Sequence, residues 1–193
     1  MVSGEASRRA LLRGAGQALV GMGALAALGG CGGAAPSGQE AVKHAARPVA
    51  ETDVGILMAA LALERRTVAA YVAGIPLLPH SQVKGTKAFL SEELAHTGEL
   101  ISLIKAAGGK APPRADTYDI GAPPRGSSDV VALLHSLERL QIASYLKWIP
   151  RLSPGPVRAA VSSILACDAQ HVAVLRAARG MPALASAFVT GNE

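Results

Sequence analysis

The chain has 193 residues, enough for one domain of ordinary size and too few for two comfortable ones. Half of the residues are hydrophobic, 17% are charged and 3% are aromatic, and the mean hydropathy is +0.30; even so, no uncharged run approaches a fully lipophilic helix of about 20 residues. The formal charge of +5 shrinks once residues 1–30 are set aside, because 16 basic residues then face 13 acidic ones and the basic ones are scattered. Nucleic acid therefore has neither a basic patch nor aromatic stacking platforms to bind. Two cysteines, Cys31 and Cys167, cannot make a multi-disulfide framework or a cysteine zinc site.

The amino terminus reads as an address. Ser7-Arg8-Arg9-Ala10-Leu11-Leu12-Arg13 resembles the twin-arginine export signal, and an uncharged Gly- and Ala-rich stretch follows from Gly14 to Gly30. Leu28-Gly29-Gly30-Cys31 resembles a lipoprotein cleavage box, which implies that Cys31 carries lipid and holds the protein at the membrane. An ordinary cleaved signal and an uncleaved anchor are the alternatives. Residues 1–31 are thus a signal and 32–50, rich in Gly, Ala, Pro and Ser, a flexible tether. The expected location is the outer face of the cytoplasmic membrane or the periplasm.

The remainder predicts four helices. Apolar residues recur at helical spacing from about Asp53 to Gly74, where Gly74, Pro76 and Pro79 stop them. A second helix is expected from about Gln82 to Ala107, ending at Gly108-Gly109. Residues 110–127 hold two Pro-Pro pairs and little periodicity. A third helix is expected to start at Ser127 or Ser128, either of which is a suitable cap, and to stop at Pro150. The fourth runs from Pro156, well placed in a first turn, to Arg179 and Gly180. No segment alternates with period two, so the class is all-α. Short Pro-containing turns make two antiparallel hairpins, and the long middle segment is a crossover between them. The bundle is assigned to residues 51–181 and a tail to 182–193.

The hairpins also repeat each other. Leu63-Glu64-Arg65, Tyr71, Ile75-Pro76 and Leu78 return 74 residues later as Leu137-Glu138-Arg139, Tyr145, Ile149-Pro150 and Leu152. At an offset of 75, Leu90, Glu93, His96 and Leu100 return as Leu165, Asp168, His171 and Leu175. A pseudo-two-fold axis is expected between the halves.

Each helix places one carboxylate on its apolar stripe: Glu64, Glu93, Glu138 and Asp168. Spacing of i, i+3 puts Glu93 with His96, and Asp168 with His171, on one face each. Burying one unpaired carboxylate costs several kcal/mol or forces it to keep its proton, and four converging would repel. Two divalent cations supply the missing charge, and the mixed nitrogen and oxygen set suits iron or manganese, with zinc able to intrude.

The ordered set Glu64, Glu93-x-x-His96, Glu138, Asp168-x-x-His171 resembles the ligand pattern of the ferritin-like di-iron and di-manganese carboxylate proteins. The resemblance implies a ferritin-like four-helix bundle holding two iron ions, with manganese the alternative. It implies that Glu64 and His96 are terminal ligands of one metal, Glu138 and His171 of the other, and that Glu93 and Asp168 bridge. Asp168 departs from the family's usual Glu. Tyr71 and Tyr145, two turns from a carboxylate, are expected near the ligands, to bond them or simply to pack. His135, three residues before Glu138, is a seventh ligand or, more in keeping with its position, a residue behind the ligands or at the surface. Glu92 falls on a small, polar face and reads as solvated. Cys167 is turned about 100° from Asp168 and reads as a small core residue. His44 and His80 are assigned nothing, and Arg65 and Arg139 are left between solvation and pairing with a carboxylate.

These features imply a membrane-anchored redox protein acting on oxygen, peroxide or ferrous iron, an oxidase or ferroxidase in type. Membrane lipid through Cys31 is the expected partner, nucleic acid is not, and a homodimer is one assembly open to it. The alternative is a ferritin-like binding or structural module at the cell surface, its site empty or filled by a structural metal. A storage cage is disfavoured, because a lipid tether on every subunit obstructs a closed shell.

Overall fold

In the computed structural model, residues 51–193 are described. The signal, Cys31, the tether and His44 lie outside them. Helix α1 spans Glu51–Gly74, α2 His80–Ala106, α3 Ser127–Trp148 and α4 Pro156–Ala178. Single 3-10 turns at Ile75–Leu77 and Ile149–Arg151 follow α1 and α3, each with proline at its start. There is no strand among the described residues. At 1.5 Å per residue the helices are roughly 33 to 40 Å long. None of them is long and apolar enough to cross a membrane.

The stops act as the sequence implies, with one correction. Gly108 and Gly180 adopt left-handed backbone just past α2 and α4, and the next residue's N–H returns to Ile104 and Arg176 respectively. That is the Schellman arrangement, which glycine reaches without a Cβ penalty. The N-cap of α3 is Gly126, not Ser127 or Ser128, and no side chain caps it. Instead Asp129 reaches back to accept the N–H of Arg125 at 3.0 Å. The acidic side chain thereby ties the incoming chain to the first turn and complements the helix dipole there.

Contacts at the two ends fix the topology. Asp53, at the start of α1, accepts the N–H of Ser153 in the α3–α4 turn. Gly109, just after α2, lies against Val54, whereas Gly74 at the end of α1 lies against Val130 of α3. Residues 107–126 therefore run the length of the bundle. Arg65 pins this crossover, donating from Nη1 to the carbonyls of Pro112 and Pro113 at 2.9 and 3.0 Å. Its repeat partner Arg139 has its Nε buried without a partner.

Two apolar clusters form the core. One gathers Leu57, Leu61, Leu100, Ile104, Tyr145, Leu152 and Val161; the other gathers Tyr71, Val130, Leu134, Leu137 and Leu175. Between them lies a layer of buried polar side chains. The segment after α4 is not helical and folds back on the bundle. Arg176 donates to the carbonyls of Pro182 and Glu193, and Gly191 sits so close to Ala143 that an added Cβ would lie 2.6 Å from its methyl.

Candidate metal centre

Each helix of the bundle contributes to the polar layer from its buried stripe. On α1, Leu57, Leu61, Glu64, Val68 and Tyr71 all face inward, and on α3 Val131, Leu134, Glu138, Ile142 and Tyr145 do the same. Helices α2 and α4 present Glu93 with His96 and Asp168 with His171, one turn apart. Glu64, Glu93, Glu138 and Asp168 have no exposed surface, and His171 has almost none.

The six side chains meet in two overlapping groups. Glu64, His96 and Asp168 make one, and Glu93, Glu138, Asp168 and His171 the other, with each group's ligand atoms within 4.8 Å of one another. His96 Nδ1 lies 3.5 Å from Glu93, 3.5 Å from Asp168 and 3.7 Å from Glu64. His171 Nδ1 lies 3.2 Å from Glu138 and 3.3 Å from Glu93. Both imidazoles thus turn the same nitrogen toward the carboxylates.

Electrostatics show how unsatisfied this layer is by itself. Burial pushes Glu64 up to about 8 and Glu138 up to about 7, in each case with repulsion from Glu93 added. Asp168 is raised well above the ordinary range, by burial and then by Glu64. Burial would raise Glu93 too, but His171 and His96 outweigh it and bring Glu93 down to about 2. For the imidazoles burial acts downward and loses: Glu64 and Glu93 push His96 up to about 11, and Glu138 and Glu93 push His171 up to about 12. Shared protons thus take the place of missing positive charge.

Hydrogen bonding leaves the same gap. Glu64 Oε2, Glu93 Oε1, Glu138 Oε2, both oxygens of Asp168 and His96 Nδ1 are buried with no partner. Buried polar atoms in a folded protein are nearly always bonded, and orphans of this chemistry, aimed at one place, fit divalent iron or manganese. The residues can hold a metal.

Tyr71 and Tyr145 lie behind the carboxylates. Tyr71 donates to Glu138 Oε1 at 2.7 Å and Tyr145 donates to Glu64 Oε1. Each phenol therefore serves the other hairpin's glutamate. His135 does not join the layer. Although buried, it accepts a bond from Arg179 at 2.7 Å beneath the folded-back tail. Burial, followed by the nearby charge of Arg179, brings its imidazole down to about 4. His80 is exposed at the start of α2.

Three residues enter that the sequence reading did not place here. Glu92, read as solvated, is half exposed, yet its carboxylate lies 2.7 Å from His171 Nε2. It thereby fixes the ring with Nδ1 toward the centre. Cys167 stands 3.8 Å from the same nitrogen and is partly exposed, a wall residue more than a core one. Gln141 donates to Glu93 Oε2 at 3.3 Å and accepts from Thr67 at 2.7 Å. Thr67 and Gln141 are themselves 74 residues apart, so the repeat contained them; their differing identities hid the match.

Comparison with known proteins agrees with this architecture. No curated protein matches the chain. A crystal structure of a conserved hypothetical protein from Mycobacterium tuberculosis superposes with a TM-score of 0.64 at 20% identity, over 71% of this chain and 96% of that one. At that identity the likeness shows the fold alone. The ferritin-like domain family matches residues 52–181, the whole of the helical bundle. The chain belongs to the ferritin-like domain family.

Proposed function

We propose that the bundle carries a dinuclear metal centre used for redox chemistry. Iron is the first choice, manganese the second, and zinc an occasional intruder. The observation that carries this reading is the set of orphaned, buried ligand atoms from all four helices. Five carboxylate oxygens and one imidazole nitrogen remain without partners, an arrangement that costs stability unless cations enter. On this reading Glu64 and His96 hold one ion, Glu138 and His171 the other, and Glu93 and Asp168 lie between them.

Bound there, the ions would pass electrons to oxygen or peroxide as the oxidant, with ferrous iron brought as substrate one source of those electrons. The chain's own part is positional. Tyr71 and Tyr145 hold one oxygen of Glu138 and of Glu64, leaving the other free. Glu92 keeps the proton of His171 on Nε2, so that Nδ1 offers its lone pair. The two apolar clusters close the layer at both ends and keep bulk water from it. Export by the twin-arginine route and anchoring through lipid on Cys31 complete the proposal, supported by the Arg8-Arg9 pair and the Gly29-Gly30-Cys31 box. That route carries folded proteins and permits loading before export.

Elemental analysis of protein purified without chelator, followed by anaerobic titration with ferrous iron and admission of air, tests the reading. About two metals per chain and a new absorbance on oxygenation are expected. Metal binding without oxidation would favour a structural site, and no metal at all would favour a binding module.

A further inference from the structure

The two-fold repeat makes a strict demand, and the structure breaks it around His96. His171 is closed off from solvent by two residues of α2. The Phe89 ring lies 4.2 Å from the imidazole, centroid to centroid, and Glu92 bonds its outer nitrogen. At the offset of 75 the residues that should close His96 are Ile164 and Cys167 of α4. Both are smaller than their counterparts. Where a phenyl ring and a carboxylate would sit, a groove of about 490 Å³ opens between α2 and α4, and His96 is part of its wall. Ala160 and Ser163, two turns and one turn before Cys167 on α4, keep the groove open outward. These two helices are also the neighbouring pair that approach each other least closely.

We infer that this groove is the port through which divalent cations reach the centre, and that the half containing His96 is the one approached from outside. The inference rests on the metal-centre reading above. Its wall offers the Glu99 carboxylate, the Ser163 hydroxyl and the Cys167 thiol, and contains neither lysine nor arginine. The Glu99 carboxylate draws a hydrated cation toward the groove. On the other half, Phe89 and Glu92 stand where an ion would have to pass.

A plugged port slows arrival and departure alike and leaves the equilibrium constant unchanged, which separates it from damage to the ligands. The experiment uses the full chain, Co²⁺ uptake by stopped-flow absorbance and release into excess EDTA. Ser163 is exposed, so Ser163→Trp fills the groove from its outer side. Uptake and release are both expected to slow at least ten-fold, with Kd within three-fold of the parent. Ala160→Phe is expected to do the same, and Val174→Trp, at an exposed site on the same helix, to do nothing. Glu99→Gln narrows nothing and is expected to slow uptake a few-fold, most at low salt. Rates equal to the parent in both plugging variants would overturn the port while leaving the centre standing. Lost affinity with unchanged release would also overturn it. Failure of the unmodified chain to take up Co²⁺ would sink the centre itself. Should either plugging variant melt early, the other variant and Glu99→Gln decide the matter.

Discussion

Tyr71 on α1 donates to Glu138 on α3 across 2.7 Å, and the bond joins two hairpins that are otherwise copies of each other. Its mirror, Tyr145 to Glu64, runs the opposite way. Neither hairpin therefore carries a finished half of the centre. Each glutamate gets its phenol only when the bundle closes, so assembly of the polar layer and of the fold are one event. Tyr71→Phe leaves Glu138 Oε1 without its phenol. In metal-free protein this is expected to lower stability by about 1–3 kcal/mol, read as a shift in the urea midpoint. Tyr145→Phe should match it to within about 1 kcal/mol.

Removing a proposed ligand should separate stability from function. Asp168 has both oxygens orphaned and its proton held by burial. Asp168→Asn keeps the shape and removes the carboxylate that an entering cation would need. At pH 8 the metal-free variant is expected to be at least as stable as the parent, by as much as about 1–3 kcal/mol. Its metal content should fall by half or more. Elemental analysis beside urea unfolding checks both halves of the statement. Glu93→Ala and His171→Ala, which remove a proposed bridge and a proposed terminal ligand, should each lower metal content.

Glu92 makes a more selective test, because it touches a proposed ligand and no ion. Glu92→Ala frees the ring of His171 and lets either nitrogen carry the proton. Metal affinity is expected to fall 10- to 100-fold, with the urea midpoint of metal-free protein changed little, since Glu92 is half exposed. Glu92→Gln, which still bonds the ring, should recover part of the affinity. A stability loss as large as that of a core substitution would contradict this role.

The pH dependence follows from protons held in the folded, metal-free protein. Glu64 at about 8 and Glu138 at about 7 keep protons that an unfolded chain releases near 4.5. Each step upward in pH across that window therefore favours the unfolded state. His96 and His171 act in the same sense: their contribution is complete below 6.5 and is lost as pH rises through about 11 and 12. Glu93, depressed to about 2, contributes above 4.5 and loses its effect only in acid. Metal-free protein should thus unfold more easily at pH 8.5 than at pH 5.5. With saturating Mn²⁺ the order should reverse, because the same protons must leave for the ion to bind. Urea midpoints at the two pH values, with EDTA and with Mn²⁺, decide it.

Periodicity, proline and glycine made the helices and the crossover readable, because those signals act on the chain locally. The repeat carried Glu64, Tyr71, Glu138 and Tyr145 in register. Glu92 was misjudged for a definite reason: helical spacing reports the face on which a Cβ sits, not where three further bonds can carry a carboxylate. Its target is on another hairpin. His135 shares a face with Glu138 but lies one turn nearer the end where residues 181–193 fold back, and nothing periodic in that segment announces its docking. The cap of α3 falls on Gly126 because serine's preference is only a tendency, and here no side chain caps the helix while Asp129 bonds back to Arg125.

One bond at the middle of the repeat prevents its halves from being equal. Thr67 has a single proton and gives it to Gln141, whose amide then serves Glu93. No such donor reaches Asp168. One of the two carboxylates proposed to bridge therefore already accepts a hydrogen bond while the other is bare. On the proposed reading two cations would not meet equivalent seats there: a titration should show two steps, and two different metals should sort themselves between them. A duplicated hairpin, by changing one threonine for one glutamine, acquires a left and a right.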